Sequence, residues 1–267
     1  MSTRKTARIY YFSGTGNTYW SAKKLAGHLG DAEILPISRE IKRPGLRIEA
    51  DAAVFMFPAY AYGTPVMVRR FLEKAEIHAD YLAALVSFGT SPGGALAEVR
   101  RVLGRKNLSL NYAGRIPAVE NFIPIFGTQG AKKQEARLLL QAEATEQAAA
   151  AILSRADNKI LTFRPFSGFV SALFRFARPN MARRLYRRTG ACTACGLCAR
   201  ICPAGAITMT AKGPVFQKNC EQCQACLNFC PRRAISFGRM QPGTERYHHP
   251  EVTLGELFDS PQGESIV

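Results

Sequence analysis

All eight cysteines of this 267-residue chain fall into two copies of one pattern. The first is Cys192-x-x-Cys195-x-x-Cys198-x-x-x-Cys202-Pro203, and the second is Cys220-x-x-Cys223-x-x-Cys226-x-x-x-Cys230-Pro231. Eight thiols so placed leave few chemistries. A zinc ion takes four ligands, usually from two C-x-x-C pairs across a longer spacer, which a run of three plus one does not match. A disulfide framework suits a small secreted chain, whereas this one is long and opens without a recognisable export signal. The runs are also an internal repeat. CTACGLCARICPAGAIT aligns with CEQCQACLNFCPRRAIS at an offset of 28 residues, so that Ala206-Ile207 matches Ala234-Ile235. Each half is expected to give a short hairpin strand after its Cys-Pro, and Gly213-Pro214 reads as a turn between the halves.

Over residues 189–238 this module resembles the bacterial two-[4Fe–4S] ferredoxins. Three thiolates then converge on one cube from a tight loop, and the three-residue gap and the proline send the last cysteine toward the other cube. The resemblance implies that Cys192, Cys195, Cys198 and Cys230 hold one cluster, and Cys220, Cys223, Cys226 and Cys202 the other. A chain with two such clusters moves electrons one at a time.

The remaining residues suffice for a second domain with its own core. Ala7 to Phe12 is a strand-like run, Ser13-Gly14-Thr15-Gly16-Asn17-Thr18 a polar loop, and Tyr19 to Leu29 a helical stretch. A strand, a glycine-rich loop and a helix N-terminus together make an anion site. The loop holds no Lys or Arg, so a phosphate would rest on dipoles and hydrogen bonds. It lacks the Gly-Lys-Ser/Thr of a Walker A loop, and Tyr19 stands where a dinucleotide fingerprint needs its third glycine. What remains resembles the phosphate loop of flavodoxins. Ala52 to Phe57 and Tyr81 to Phe88 are continuous apolar runs of the kind buried in parallel sheets. Helical stretches follow at 66–75 and 95–103, a fifth strand candidate at 108–119, and an Ala-rich helix at 131–155. Residues 38–51 are too interrupted for a regular crossover helix. Strands alternating with helices predict a doubly wound parallel sheet of five strands, with ligands at the carboxyl ends of the strands.

The flavodoxin resemblance implies FMN. It places the phosphate on Ser13, Gly14, Thr15, Gly16, Asn17 and Thr18. Two further loops would clasp the ring, Pro58-Ala59-Tyr60-Ala61-Tyr62-Gly63 and Gly89-Thr90-Ser91-Pro92-Gly93-Gly94. Tyr60 or Tyr62 is the expected stacking aromatic. Flavodoxins usually carry a tyrosine in the third loop, and the small residues here would leave one face of the flavin open. Trp20 is expected in the core.

Between Asn158 and Cys220 there is no Asp or Glu, while Lys and Arg recur and phenylalanines interleave at 163, 166, 169, 174 and 176. The whole chain carries a net charge of +16, which points to a redox partner with an acidic docking surface. The expectation is that residues 166–186 form a connector that packs its aromatics and exposes its arginines. The alternative is an amphipathic element lying on an anionic membrane surface; the run is too interrupted by Arg and Pro to span a bilayer. No recognition module for nucleic acid is visible, and none is expected as a partner. Tyr247-His248-His249 lies in a polar tail whose histidines are expected to be solvated rather than metal-bound; the alternative is a tail that wraps back over a domain.

The whole chain thus resembles fused flavodoxin–ferredoxin proteins. The expected layout is a flavodoxin-like domain at 1–157, a connector at 158–188, a small α+β two-cluster domain at 189–238 and a tail at 239–267. The resemblance implies a cytoplasmic protein with one FMN and two [4Fe–4S] clusters. It would serve as an electron carrier, or alternatively as a flavin-dependent reductase of a bound small molecule. No catalytic acid–base pair or nucleophile stands out.

Overall fold

The structure, a computed structural model, describes residues 7–30, 32–158, 165–241 and 243–258. In chain order the elements are β1 (Ala7–Tyr11), α1 (Asn17–Leu29), β2 (Glu33–Pro36), α2 (Ile37–Glu40), β3 (Arg47–Pro58), α3 (Val66–Lys74), β4 (Glu76–Phe88), α4 (Ala95–Gly104), β5 (Tyr112–Pro117), α5 (Ile123–Phe126), α6 (Ala131–Leu153), α7 (Pro165–Leu185), β6 (Tyr186–Arg188), α8 (Leu197–Arg200), β7 (Ile207–Thr210), β8 (Gly213–Phe216), α9 (Ala225–Asn228), β9 (Ile235–Phe237) and α10 (Leu254–Phe258). They group into two units. The first comprises residues up to 12, 18–119 and 131–172; the second comprises 13–17, 120–130 and 173 onward.

The first unit is built on a parallel sheet of order β2-β1-β3-β4-β5, the doubly wound flavodoxin-like arrangement. Its centre follows from the apolar runs: Val54 to Phe57 on β3 and Ala83 to Val86 on β4 are fully buried, as strands covered on both faces require. Tyr10, Phe55 and Phe71 stack beside them, with Tyr10 centred 5.9 Å from Phe55 and 5.3 Å from Phe71. Trp20 is buried on α1, as expected. The connection from β2 to β3 holds only the four-residue α2. Both long strands begin five residues earlier than their apolar runs, at Arg47 and Glu76. Those early residues alternate: Ile48 and Ile77 are buried, and Arg47, Glu49, Glu76 and His78 are exposed. Alternation marks a half-buried strand pair, which a search for continuous apolar runs overlooks. On α6 the buried face includes Gln141 and Thr145, both bonded to the Ser21 hydroxyl at 3.0 and 3.2 Å.

In the second unit the sequence repeat becomes a backbone repeat. Left-handed residues recur at the same 28-residue offset: Ala194 and Gln222, Gly196 and Gln224, Gly205 and Arg233. The one-turn helices α8 and α9 follow Gly196 and Gln224 in the same register. The strands depart from expectation. β7 forms a hairpin with β8, but β9 pairs with β6, in antiparallel register from Tyr186↔Phe237 to Arg188↔Ile235. The partner strand thus lies within 158–188, the stretch assigned to the connector. Tyr186 explains it: its buried ring stacks on Phe216 and meets Phe237, each centred at 4.9 Å.

Two of the connector's phenylalanines do not pack as expected, and Arg178 is buried where its arginines were expected to be exposed. Phe169 and Phe176 are 68% and 84% exposed; Lys159, Phe163 and Arg164 lie outside the described residues. The expected solvation of both tail histidines is corrected too. His249 and Tyr247 are buried, while His248 is exposed and stacks on Phe229 at 5.0 Å.

Candidate functional site

Cys192, Cys195, Cys198 and Cys230 line one cavity, whose walls include Leu197, Ile201 and Phe229. Cys226 also reaches this cavity. Burial pushes the Cys198 thiol up to about 11, and its neighbours Cys230, Cys195 and Cys192 push in the same direction. The Cys220 thiol is likewise held up at about 11 by burial, with Cys202 the nearest raising charge. Cys223 and Cys226, the most buried, are raised well above the ordinary range. The ligands are thiolates, so a cluster assembling here displaces these protons. Among the described residues no three His, Cys, Asp or Glu side chains close in on a point fit for a single ion.

Backbone amides face the sulfurs in the repeat's own register. Ala206 N donates to Cys202 Sγ and Ala234 N to Cys230 Sγ, both at 3.2 Å, and Gln222 N donates to Cys220 Sγ at 3.4 Å. Four thiols, an apolar wall and amide donors to sulfur fit a [4Fe–4S] cube, whose potential such hydrogen bonds tune. The two sets differ in burial. Cys195 is exposed, and Cys192, Cys198, Cys202 and Cys230 are partly so, whereas Cys220, Cys223 and Cys226 are buried. Arg178 secures the buried run: its guanidinium donates to the carbonyl of Cys220 and to the Glu221 carboxylate, the latter at 3.3 Å.

The loop Ser13–Asn17 belongs to this same unit. A β-carbon at Gly14 would overlap the carbonyl oxygen of Cys223. Gly16 holds φ +97°, with the side chains of His249 and Val252 at 3.0 and 3.1 Å from where its β-carbon would stand. His249 N donates to the Thr15 carbonyl at 2.8 Å, and Tyr247 donates its phenolic proton to Asn17 Oδ1 at 2.7 Å. Asn121 Nδ2 donates to Thr15 Oγ1 at 2.6 Å, and Gly16 N to Ser13 Oγ at 3.2 Å. A hydroxyl that accepts in this way turns its own proton elsewhere, so Ser13 and Thr15 keep a donor each. With the left-handed Gly16 and the N-terminus of α1, the donor set fits a phosphate group. Thr18, in the first unit, shares a 2.7 Å hydrogen bond with Ser87.

In the first unit the ring loops are locally ordered. Pro58 ends β3 opposite Ser87, and Ala59 N donates to the Ser87 carbonyl at 2.8 Å. Tyr60 and Gly63 exchange backbone hydrogen bonds of 2.9 and 3.0 Å around Ala61 and Tyr62. Both central residues are left-handed, at φ 45° and 64°, a conformation that costs a non-glycine residue about 1–3 kcal/mol and clusters at functional sites. Tyr60 is half-buried with its ring 6.2 Å from Phe12. The third loop approaches the second through Gly93. Gly93 is buried, a β-carbon there would overlap Tyr62, and Gly94 N donates to the Tyr62 carbonyl at 2.8 Å. Gly89, Ser91 and Gly94 are half-buried and Thr90 is exposed. Gly63 in turn has Ser171 of α7 against it.

Tyr247, His249, Val252, Asn121 and Arg178 carry no local signature. Each acts across a chain separation that only folding closes; for Tyr247 and Asn17 it is 230 residues.

Residues 191–235 match the 4Fe-4S dicluster domain family. No curated protein matches the chain. Among solved structures it is similar to the Trp repressor binding protein from Bacillus subtilis, at 15% identity and a TM-score of 0.37, over 58% of this chain and 100% of that one. It is similar to a Streptococcus pneumonia flavodoxin at 18% identity and TM-score 0.33, over 54% and 98%. The Megasphaera elsdenii flavodoxin follows at 16% identity and TM-score 0.31, over 52% and 98%. The chain joins a flavodoxin-like sheet to a two-cluster iron–sulfur domain. It is an electron-transfer protein of the iron–sulfur class. Among the described residues no helix is long and apolar enough to cross a membrane.

Proposed function

We propose that the protein relays low-potential electrons between its two [4Fe–4S] clusters and an FMN, and on to a partner protein. The observation that carries this reading is the burial gradient along the cysteine sets. Cys195 of one set is exposed, the other set's Cys220, Cys223 and Cys226 are buried, and Cys223 lies against Gly14 of the phosphate loop. When bound, clusters of this kind pass single electrons and a flavin exchanges two, so that the protein contributes position and electrostatics.

The residues have distinct tasks. Ser13, Thr15 and the backbone of Gly14 and Gly16 would hold the phosphate, and Tyr247 and His249 fix that loop from behind. The apolar wall of the first cavity covers the inner side of its cysteines, and the amides of Ala206 and Ala234 orient Cys202 and Cys230. The exposed edge of the first set is bordered by basic groups. Arg232 lines the cavity, and the exposed Arg188 reaches the turn at Gly213, beside Cys192 Sγ. A partner with an acidic surface fits there, with an association rate that falls as salt rises. The alternative is a reductase acting on a small molecule, which the small residues of the third loop favour; the absence of a catalytic acid–base pair or nucleophile favours the relay.

The test is anaerobic reduction of the intact protein with a substoichiometric one-electron donor, read at both chromophores. Relay predicts that flavin absorbance changes in the wild type and that Cys223→Ala abolishes the change while the first cluster still reduces. Flavin reduction unaffected by Cys223→Ala would refute the route.

A further inference from the structure

The helix α7 is amphipathic in the inverse sense. It buries Ser167, Ser171, Arg178 and Ala182 and exposes Phe169, Leu173 and Phe176. Positions 169, 172, 173 and 176 follow the i, i+3, i+4, i+7 spacing of a single helical stripe. Ala172 is exposed with them, and the same stripe continues through Asn180, Arg183 and Arg184, all exposed. The buried face has reasons to stay buried. Ser171 donates to the Glu98 carboxylate at 3.3 Å, and Arg178 holds the Cys220 carbonyl and the Glu221 carboxylate. Rotating the apolar stripe inward would break these bonds and bury the two terminal arginines.

We propose that this stripe rests on an anionic lipid surface, which makes the protein peripheral to a membrane. Three large apolar side chains at 56–84% exposure are costly to leave in water. The charge along this stretch of chain has one sign: Arg183, Arg184, Arg187 and Arg188 are exposed, and no Asp or Glu occurs between Asn158 and Cys220. A bilayer surface stacks an apolar layer beneath an anionic one. It therefore takes the phenylalanines and the arginines of one helix together. Guanidinium groups pair with headgroup phosphates bidentately. An acidic protein patch would satisfy the arginines and leave Phe176 in water, so lipid fits the whole stripe better. The helix lies on the surface and does not cross it: Arg175 and Pro179 interrupt its apolar run.

The experiment is flotation of the cofactor-loaded full-length protein with vesicles of phosphatidylcholine alone or mixed with phosphatidylglycerol. Binding is expected only to the mixed vesicles and should weaken between low and high salt. Arg183→Gln with Arg184→Gln should lower affinity by about fivefold per arginine. Phe169→Ser with Phe176→Ser should lower it by about tenfold or more. Retention of both clusters by absorbance in every variant shows that folding is intact. Equal binding to neutral vesicles, no binding to either, or binding unmoved by both variants would overturn the proposal. So would a dimer in solution that Phe176→Ser dissociates, since the stripe would then be covered by a second copy.

Discussion

Tyr247 and Asn17 stand 230 positions apart in the chain and share a hydrogen bond of 2.7 Å, the phenol donating to Oδ1. Both are buried, and burial, the main cause, pushes the Tyr247 phenol above its ordinary range, so that it stays a donor at any working pH. The tail thereby becomes part of the phosphate loop. Replacing Tyr247 by Phe removes one buried hydrogen bond and should cost about 1–3 kcal/mol. Thermal unfolding of the holoprotein and its flavin dissociation constant are the readouts. Cluster content should not change.

Gly14 faces the carbonyl of Cys223, a backbone atom that cannot swing aside as a side chain can. Gly14→Ala should therefore displace the loop, cost about 1–3 kcal/mol and loosen flavin. Gly27, inside α1, is the control, because its β-carbon would meet nothing within 4 Å. Gly27→Ala should stabilise by about 0.5–1 kcal/mol. Parallel melting curves of the two variants check the contrast.

How far the sequence reaches is clear from these residues. The cysteine spacing, the alternation of strands and helices and the loop at 13–18 were legible because each is a local pattern. The crossed grouping of Cys230 with Cys192, Cys195 and Cys198 came from the ferredoxin resemblance; these four line one cavity, which Cys226 of the other expected set also reaches. The early halves of β3 and β4 were not read, because alternation over five residues is weak beside a continuous apolar run. Pairing of β6 with β9, the burial of His249 and the outward turn of Phe176 depend on tertiary contacts. A lone tyrosine, histidine or phenylalanine carries no mark of which neighbour will claim it.

The crossed sets give a clean genetic test. Cys192→Ala and Cys230→Ala should leave the same single cluster, and Cys202→Ala and Cys220→Ala the other, with about four iron per chain in each case. Low-temperature EPR of the reduced variants distinguishes the two survivors. If Cys230→Ala resembles Cys220→Ala, the ligation is uncrossed.

His249 supplies a pH dependence. Its ring ordinarily titrates near 6.5, and burial, the largest cause, holds it down to about 4 in the folded chain. The folded state thus prefers the neutral ring, and the opened tail takes up the proton first as pH falls. The tail's attachment should be complete above about pH 6.5 and weaken progressively toward about pH 4. Hydrogen exchange at the His249 amide, which bonds to the Thr15 carbonyl, should speed up over that window beyond its intrinsic pH trend. His249→Gln should remove the excess.

One chain carries both kinds of redox group. Iron, sulfide and flavin content of anaerobically purified protein tests it most directly. The prediction is about eight iron and eight sulfide per chain with one FMN. Clusters without flavin would contradict it and leave the loop at Ser13–Thr18 as a purely structural seat for the tail.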